Sequence, residues 1–283
     1  HPIMTVITSI GMDHMGILGN TIEEIAKEKA GIIKEGIPLC YDGTSDVASE
    51  VIRMTAEKKH APCRKIGKDA FEIREITDKQ VAFSIVNGYD KNIIWTVAST
   101  GIYQMMNATL AVSAMEEVLG KPSDTRKWKR ALERAKWPGR MEEVLPGVIL
   151  DGAHNLPAIE RFCESLRKQK EYFAEKGEQS GKTVILFSAV DDKDYEHMIH
   201  SLCSEQSVDS YVVTKLTDKR GASMEVLTDI FQVYTDKPVY TEDTLEAAFH
   251  KAMEEKGEDG RLYCLGSLYL IGELKGLIGE GYA

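Results

Sequence analysis

This chain of 283 residues lacks several features that would define its class at once. No apolar run approaches the roughly 20 residues that a membrane-spanning helix needs, so we expect no membrane segment. The five cysteines show no C-x-x-C spacing, and an odd, scattered set favours a reducing cytoplasm over a disulfide framework. Basic residues are fewer than acidic ones, 35 against 45. The net charge of −10 argues against nucleic acid as a partner, because binding its phosphates needs clustered cations.

The sequence also lacks the glycine-rich motifs that bind nucleotides. Gly181-Lys182-Thr183 looks like the end of a phosphate-binding P-loop, but that motif needs a glycine where this chain has Lys176. No G-x-G-x-x-G is found either. The chain begins almost directly in a strand-like run, and we therefore interpret it as a fragment that lacks an N-terminal part.

The most informative pattern lies near the N-terminus. Residues 5–10 are apolar and rich in β-branched side chains, which predicts a buried strand, and His14 follows the carboxyl end of that strand. Ligands bind at this end of open α/β sheets. Residues 21–24 form a capping box that begins a short helix. Lys29 shares an apolar face of that helix with Ile22, Ile25 and Ala26, and a buried ammonium there would need a partner. The alternative is an ordinary lysine that reaches solvent.

The first half is predicted to contain both helices and a small antiparallel sheet. Alternating apolar residues over 63–100, with turns near 87–90, favour the sheet. The helix over 101–120 is expected to bury five residues: Met105, Leu110, Val112, Met115 and Val118. A strand is predicted at 37–43, and further helices at 45–60 and 127–136. Pro138-Gly139 marks a domain boundary, which gives domains 1–137 and 138–283.

The second half alternates strands and helices. Strand-like runs occur at 147–151, 183–189, 210–214, 238–241 and 261–266, each followed by a helical segment. This alternation predicts a mainly parallel sheet covered on both faces.

Polar residues follow two of these strands. Asp151 ends the first, His154 lies in the strand-to-helix crevice, and Asn155 can cap the next helix. Ser267 follows the last strand, where it can bind a ligand or cap the final helix. Ordinary roles in turns and helix caps would also explain these residues. The same holds for Asp192-Lys193-Asp194, which needs no function beyond forming a turn.

Taken together, the motifs resemble the Mur ligase family, most closely its folylpolyglutamate synthase/dihydrofolate synthase branch. The matching segments are T-S-I-G-M-D-H, I-A-K-E-K-A-G-I, G-I-Y-Q-M-M-N-A, P-G-R and D-G-A-H-N. The resemblance implies the α/β class, with part of a P-loop NTPase-like central domain that carries the small antiparallel sheet. It also implies a C-terminal Rossmann-like α/β domain. Tyr103 departs from the pattern, since the family usually has histidine there.

The resemblance implies a role for each matching residue. His14 would bind Mg²⁺, and Lys29 would be carbamylated and act in catalysis. ATP would be bound by Gln104, Asn107, Arg140 and Asp151, with Asn107 on the adenine. His154 would be catalytic and, with Ser267, would bind glutamate.

The implied activity is an ATP-dependent ligation that adds L-glutamate to a folate through an acyl phosphate. We expect a monomer that binds ATP, folate and L-glutamate. Because the P-loop is not in the chain, we expect this fragment alone to hydrolyse ATP poorly. Two alternatives remain at this point, another Mur-type amide ligase and a binding remnant without catalytic activity.

Overall fold

The computed structural model describes residues 2–12, 18–86, 92–120, 124–177 and 181–281. The chain divides into two compact units, His1–Lys136 and Trp137–Ala283. Within the described ranges, no helix combines the length and the apolar character that crossing a membrane requires.

The first unit contains a parallel sheet. Its strands are β1 (Thr5–Ile7), β2 (Leu39–Asp42) and β3 (Cys63–Ile66), in that order. Helices α1 (Ile22–Ala30) and α2 (Asp46–Lys58) lie between successive strands along the chain. This is the β-α-β pattern in which a helix crosses over between parallel strands.

An antiparallel sheet follows in the same unit. A 3₁₀ turn (Lys68–Ala70) leads into β4 (Phe71–Ile76), β5 (Val81–Ile85) and β6 (Ile94–Val97), which pair in that order. The predicted antiparallel sheet therefore exists, but its predicted start at residue 63 was wrong. Cys63–Ile66 pairs parallel with β2 instead. The turns predicted at 87–90 lie outside the described residues.

The described part of the first unit also contains helices α3 (Tyr103–Leu119) and α4 (Arg126–Arg134). Met106 and Leu110 of α3 pack against a core that includes Cys40 of β2. Met105, Leu110 and Val112 are buried as predicted, whereas Met115 and Val118 are 43% and 36% exposed, so their predicted burial was wrong.

The second unit is built on a six-stranded sheet in the order β11-β10-β9-β12-β8-β7. Five strands are parallel, which confirms the prediction, and the edge strand β7 runs antiparallel to β8. The strands are β7 (Glu142–Leu145), β8 (Val148–Leu150), β9 (Thr183–Phe187), β10 (Ser210–Thr214), β11 (Val239–Glu242) and β12 (Arg261–Leu265). The helices are α5 (Leu156–Glu175), α6 (Tyr195–Cys203), α7 (Met224–Tyr234), α8 (Leu245–Lys256) and α9 (Leu268–Gly281).

Helices cover both faces of this sheet. On one face Phe162 of α5 meets Tyr263 edge-on at 5.3 Å between ring centroids, and Phe231 of α7 meets Phe187 at 5.5 Å. On the other face, α8 and α9 bury Phe249 and Leu274 against the alternate residues of the strands. Because parallel strands share a direction, the loops after β8, β9, β10 and β12 all leave the same edge of the sheet.

Candidate functional site

The second unit begins with a tight turn that carries Arg140. We call residues 139–141 the arch. Gly139 adopts φ +69°, and its carbonyl oxygen accepts a hydrogen bond of 2.6 Å from the amide of Gly152. Its own amide donates to Glu142 Oε2 at 2.6 Å, and the same oxygen pairs with Lys275 Nζ at 2.6 Å. These contacts fix the backbone on both sides of the half-buried Arg140.

Asp151 lies at the carboxyl end of β8 and is 2% exposed. Its Oδ2 accepts from the amide of Met141 at 2.9 Å, and its Oδ1 accepts from the amide of Ala153 at 2.8 Å. The backbone amide of Asp151 donates to Cys264 of β12 at 2.9 Å. The carboxylate therefore joins the arch, its own loop and the neighbouring strand.

The two residues just before α5, His154 and Asn155, form different contacts. Nδ1 of the half-buried His154 lies 2.7 Å from the carbonyl oxygen of Gly152. A carbonyl oxygen only accepts, so Nδ1 carries the proton and Nε2 is the acceptor nitrogen of the neutral ring. Asn155 Oδ1 accepts from the amide of Ala158 at 2.9 Å, which confirms the predicted cap.

Ser267 lies after β12, directly beside this loop. It is 1% exposed, and its Oγ accepts from the amide of Tyr269 at 3.1 Å. The preceding Gly266, at φ +108°, donates its amide to the carbonyl oxygen of Ala153 at 2.8 Å. The structure thus brings Arg140, Asp151, His154 and Ser267 to one edge of the sheet. The Ser267 hydroxyl acts there as a cap, the alternative left open above.

The loop after β10 also reaches this edge, which no motif had indicated. Arg220 forms two hydrogen bonds of 3.0 and 3.1 Å to Asp218, and its guanidinium lies 4.6 Å from the Tyr269 ring centroid and contacts the Tyr269 hydroxyl. The Arg220 guanidinium and amide lower the pKa of Asp218 to about 2. Thr217 Oγ1 donates to Glu273 at 2.5 Å. The loop is therefore attached to the first turns of α9, close to Ser267.

The turn after β9 serves as a helix cap. Asp194 caps α6, and its Oδ1 lies 2.7 Å from His197 Nδ1. This contact raises the pKa of His197 above its usual value. The backbone before the turn is bonded to the loop after β10, through the amide of Asp191 and the carbonyl oxygen of Arg220 at 2.7 Å. Asp192 is exposed.

In the first unit, the capping prediction for α1 is confirmed. Thr21 Oγ1 accepts from the amide of Glu24 at 3.2 Å. The expectation that Lys29 would be buried was wrong, because the buried face of α1 consists of Ile25, Ala26 and Ala30, and Lys29 is exposed. Because Lys29 is not buried, its ammonium does not need a partner. A special role of Lys29 is therefore supported by the family resemblance alone.

Two polar side chains lie together on the first turns of α3. Asn107 is exposed and donates from Nδ2 to Oε1 of the half-buried Gln104 at 2.9 Å. That bond orients the Asn107 amide, so Oδ1 and the second Nδ2 hydrogen can face one ligand together.

The prediction of a metal site at His14 cannot be compared with the fold, because His14 lies outside the described residues. In the described part of the chain, no three histidine, cysteine or acidic side chains are grouped to hold a metal ion.

Comparison with known proteins identifies the family. Residues 1–115 match the family model described as Mur ligase middle domain, and residues 139–268 match Mur ligase, glutamate ligase domain. The chain belongs to the Mur ligase family. Within that family, its sequence is 35% identical over 284 residues to the dihydrofolate synthase/folylpolyglutamate synthase of Bacillus subtilis. That alignment covers 97% of this chain and 62% of the relative.

Two solved structures show the same fold. E. coli FolC in complex with DHPP and ADP is similar with a TM-score of 0.78 and 25% identity, over 99% of this chain and 62% of that one. Folylpolyglutamate synthase of Thermotoga maritima gives a TM-score of 0.75 and 27% identity, also over 99% and 62%. The chain thus spans about three-fifths of the length of the relatives that it matches.

Proposed function

We propose that a protein containing this chain is an ATP-dependent ligase that adds L-glutamate to a folate, with dihydropteroate as a second possible acceptor. The observation that carries the proposal is the meeting of the arch, Asp151, His154 and Ser267 at one sheet edge. Support also comes from the names of the relatives and from the ADP and DHPP bound to E. coli FolC.

The proposed reaction has two steps. The acceptor carboxylate attacks the terminal phosphorus of ATP, ADP leaves, and an acyl phosphate forms. The glutamate nitrogen then attacks the acyl carbon, and phosphate leaves as the amide bond forms. A glutamate ammonium has no free electron pair, so it must lose a proton before it attacks.

We propose that His154 accepts this proton. Its Nδ1 proton is held by the Gly152 carbonyl oxygen, so Nε2 is the nitrogen that can accept a proton. An imidazole is suited to this exchange because one ring nitrogen can accept a proton while the other keeps its own. Ser267, one residue after the end of β12, is proposed to bind a glutamate carboxylate through its hydroxyl or its amide.

The residues proposed to bind ATP are carried over from the family resemblance. Arg140 would offset negative charge on the phosphates. Asn107, oriented by Gln104, presents an acceptor and a donor together, the pair that an adenine edge requires. Mg²⁺ at His14 and a carbamate on Lys29 are proposed on the family resemblance alone. Cytoplasmic location and a monomeric state are likewise proposals.

The test is calorimetric titration of the chain with ADP and ATP, on the unchanged protein and on Asn107→Ala and Arg140→Ala. We expect weak binding that both substitutions reduce. Arg161→Ala is the matched control, because Arg161 is an exposed arginine of α5 that pairs with Glu164 at 3.0 Å and is not among the proposed site residues. Equal loss in all three variants, or none in any, would contradict the proposed nucleotide site.

Acceptor class is tested separately from nucleotide binding. Thermal-shift titrations would compare dihydropteroate and dihydrofolate with a UDP-linked sugar of the peptidoglycan type, each with ADP present. Stabilisation by the folates alone is expected. Stabilisation by the UDP-linked sugar instead would favour another Mur-type ligase.

A further inference from the structure

We infer that helix α4 carries a binding site for the γ-linked glutamate chain of a folate. The site is the basic stripe, which we define as Lys127, Arg130 and Arg134 on the exposed side of α4. The inference rests on the proposed function, because each ligation consumes one carboxylate and brings two. The ligand therefore gains one negative charge with every glutamate added.

Positive charge is concentrated at α4. Six of the eleven residues 126–136 are lysine or arginine, and Glu133 is the only acidic residue among them, although acidic residues outnumber basic ones in the whole chain. The members of the basic stripe follow one another at intervals of three and four residues, so a helix presents them on one side. All three are exposed, and none forms an ion pair within the part of the chain that the structure describes.

Exposed cations on other helices are neutralised by neighbouring acids. On α2, Arg53 pairs with Glu50 at 2.6 Å and also contacts Glu57. On α5, Arg161 pairs with Glu164 at 3.0 Å. The basic stripe therefore differs from the ordinary solvated helix surfaces of this protein.

The arrangement of charge does not stabilise α4 itself. Arg130 is four residues from both Arg126 and Arg134, and like charges at this spacing destabilise a helix. The first turn contains no acidic residue, although the N-terminal end of a helix favours negative charge. A feature that opposes folding locally is expected where a sequence serves binding.

The opposite side of α4 is used for packing. The helix lies against β6, and its apolar residues Trp128 and Leu132 are half-buried. The helix therefore does not present the large apolar face with which amphipathic helices enter a lipid surface. The ligand that fits is a polar anion that approaches the basic stripe from solvent.

The length of the basic stripe suits a short γ-linked chain. Lys127 and Arg134 are seven residues apart, which is about 10 Å along the helix axis. An extended chain advances about 1.2 Å per backbone bond, and a γ-linked glutamate contributes five bonds, so successive α-carboxylates lie up to about 6 Å apart. The three α-carboxylates of γ-linked triglutamate thus extend over about 12 Å. A long nucleic acid is a poorer ligand, because the net charge of −10 repels it.

The main experiment is an NMR titration of the isotope-labelled chain with γ-linked triglutamate, without nucleotide and at fixed pH and salt. We expect triglutamate to bind more tightly than L-glutamate and to shift the side-chain Nε–H signals of Arg130 and Arg134. Arg130→Gln and Arg134→Gln should each weaken the binding about two- to fivefold, as for the loss of one exposed ion pair.

Arg53→Gln is the matched control. It removes the same charge from an exposed helix position that is already paired, so the affinity for triglutamate should not change. Equal affinity for triglutamate and L-glutamate would overturn the inference, as would an equal loss in the control. A DNA tetranucleotide of similar charge that binds as tightly, and is weakened as much by Arg130→Gln, would also overturn it, since the basic stripe would then bind anions in general.

Thermal unfolding distinguishes binding from a structural role. Because Arg130→Gln removes a charge with two like-charged neighbours, its melting temperature should equal that of the unchanged chain or be slightly higher. A clear fall would show that Arg130 stabilises the fold, and the inference would be overturned. Failure of the proposed function has a different result, which is the absence of ADP binding by the unchanged chain, whatever the titration with triglutamate shows.

Discussion

Gly266 connects the fold to the candidate site, and its replacement by alanine tests that connection. A Cβ at this position would lie 2.6 Å from Phe187 Cε2, and it would also overlap the carbonyl oxygen of Ser188. The backbone adopts φ +108°, which residues with side chains rarely adopt. Phe187 cannot easily move, because it is fully buried and packs edge-on against Phe231.

The expected cost has two parts. A left-handed conformation costs a residue with a side chain about 1–2 kcal/mol. Forcing an extra carbon into a packed core costs about 1–3 kcal/mol. Gly266→Ala should therefore destabilise the second unit by about 2–5 kcal/mol, which corresponds to a fall in its melting temperature of about 5–15 °C.

The matched control is Gly272→Ala. Gly272 lies in α9, six residues further on, and a Cβ there would meet nothing within 4 Å. Because alanine favours a helix interior by about 0.8–1 kcal/mol over glycine, this variant should be as stable as the parent or slightly more so. The pair thus compares the same chemical change at a crowded position and at an open one.

Differential scanning calorimetry measures both variants, and hydrogen exchange of β9 and β12 peptides assigns the transition to the second unit. A melting temperature within about 2 °C of the parent for Gly266→Ala would refute the packing argument, since about 0.5 kcal/mol would then be the whole effect. The amide of Gly266 also bonds Ala153, so ADP affinity should fall together with stability.

Three further predictions follow from the same contacts. Asn155→Ala should destabilise the second unit by about 1 kcal/mol in urea unfolding, and Asn155→Ser should restore most of the loss, because only the capping oxygen is needed. Of the five free thiols, Cys63 alone is exposed and should react rapidly with a thiol reagent, while full reaction requires denaturant; a fast reaction that survives Cys63→Ser would contradict this. Burial raises the pKa of Cys163 to about 12, so its thiol stays protonated in the folded state while the unfolded state ionises from about pH 9 upward. Stability should therefore fall with rising pH between these values, by about 1.4 kcal/mol per pH unit from this thiol, and Cys163→Ala should remove that share.

The second unit was the more predictable one. Four of its five parallel strands, β8, β9, β10 and β12, are short apolar runs that are buried along nearly their whole length, so the signal is local. The Asn155 cap was predictable for the same reason, since one side chain satisfies an amide three residues away. The antiparallel edge strand β7 was missed because Glu142–Leu145 is short, partly exposed and interrupted by a bulge.

Errors in the first unit arose from non-local contacts. The short segment Cys63–Ile66 follows a helix, and whether it joins the sheet before it or the one after it depends on pairing, which residue alternation does not specify. Helix α3 is apolar around much of its circumference, so periodicity could not show that Met115 and Val118 lie on its exposed side. Lys29 shares the helical spacing of Ile25 and Ala26, yet it is exposed, so periodicity alone did not determine which residues of that face pack.

The candidate site shows a similar limit at the level of single side chains. The D-G-A-H-N segment placed Asp151 at the end of a buried strand, and any carboxylate there is an acceptor. The sequence did not determine which donors it meets, because that depends on the arch returning to the same strand end ten residues earlier in the chain. Arg220 and Tyr269 are 49 residues apart, and no motif joins them.

Arg140 and Asp151 are separated in sequence, yet in the fold the carboxylate of one holds the backbone of the turn that carries the other. Both residues are proposed to act at the nucleotide site, so we expect a substitution at either position to weaken nucleotide binding. Single variants therefore cannot distinguish two ligand contacts from one contact and its support. Only the coupling between the two substitutions separates these cases, because a support has no effect once the residue it positions has been removed.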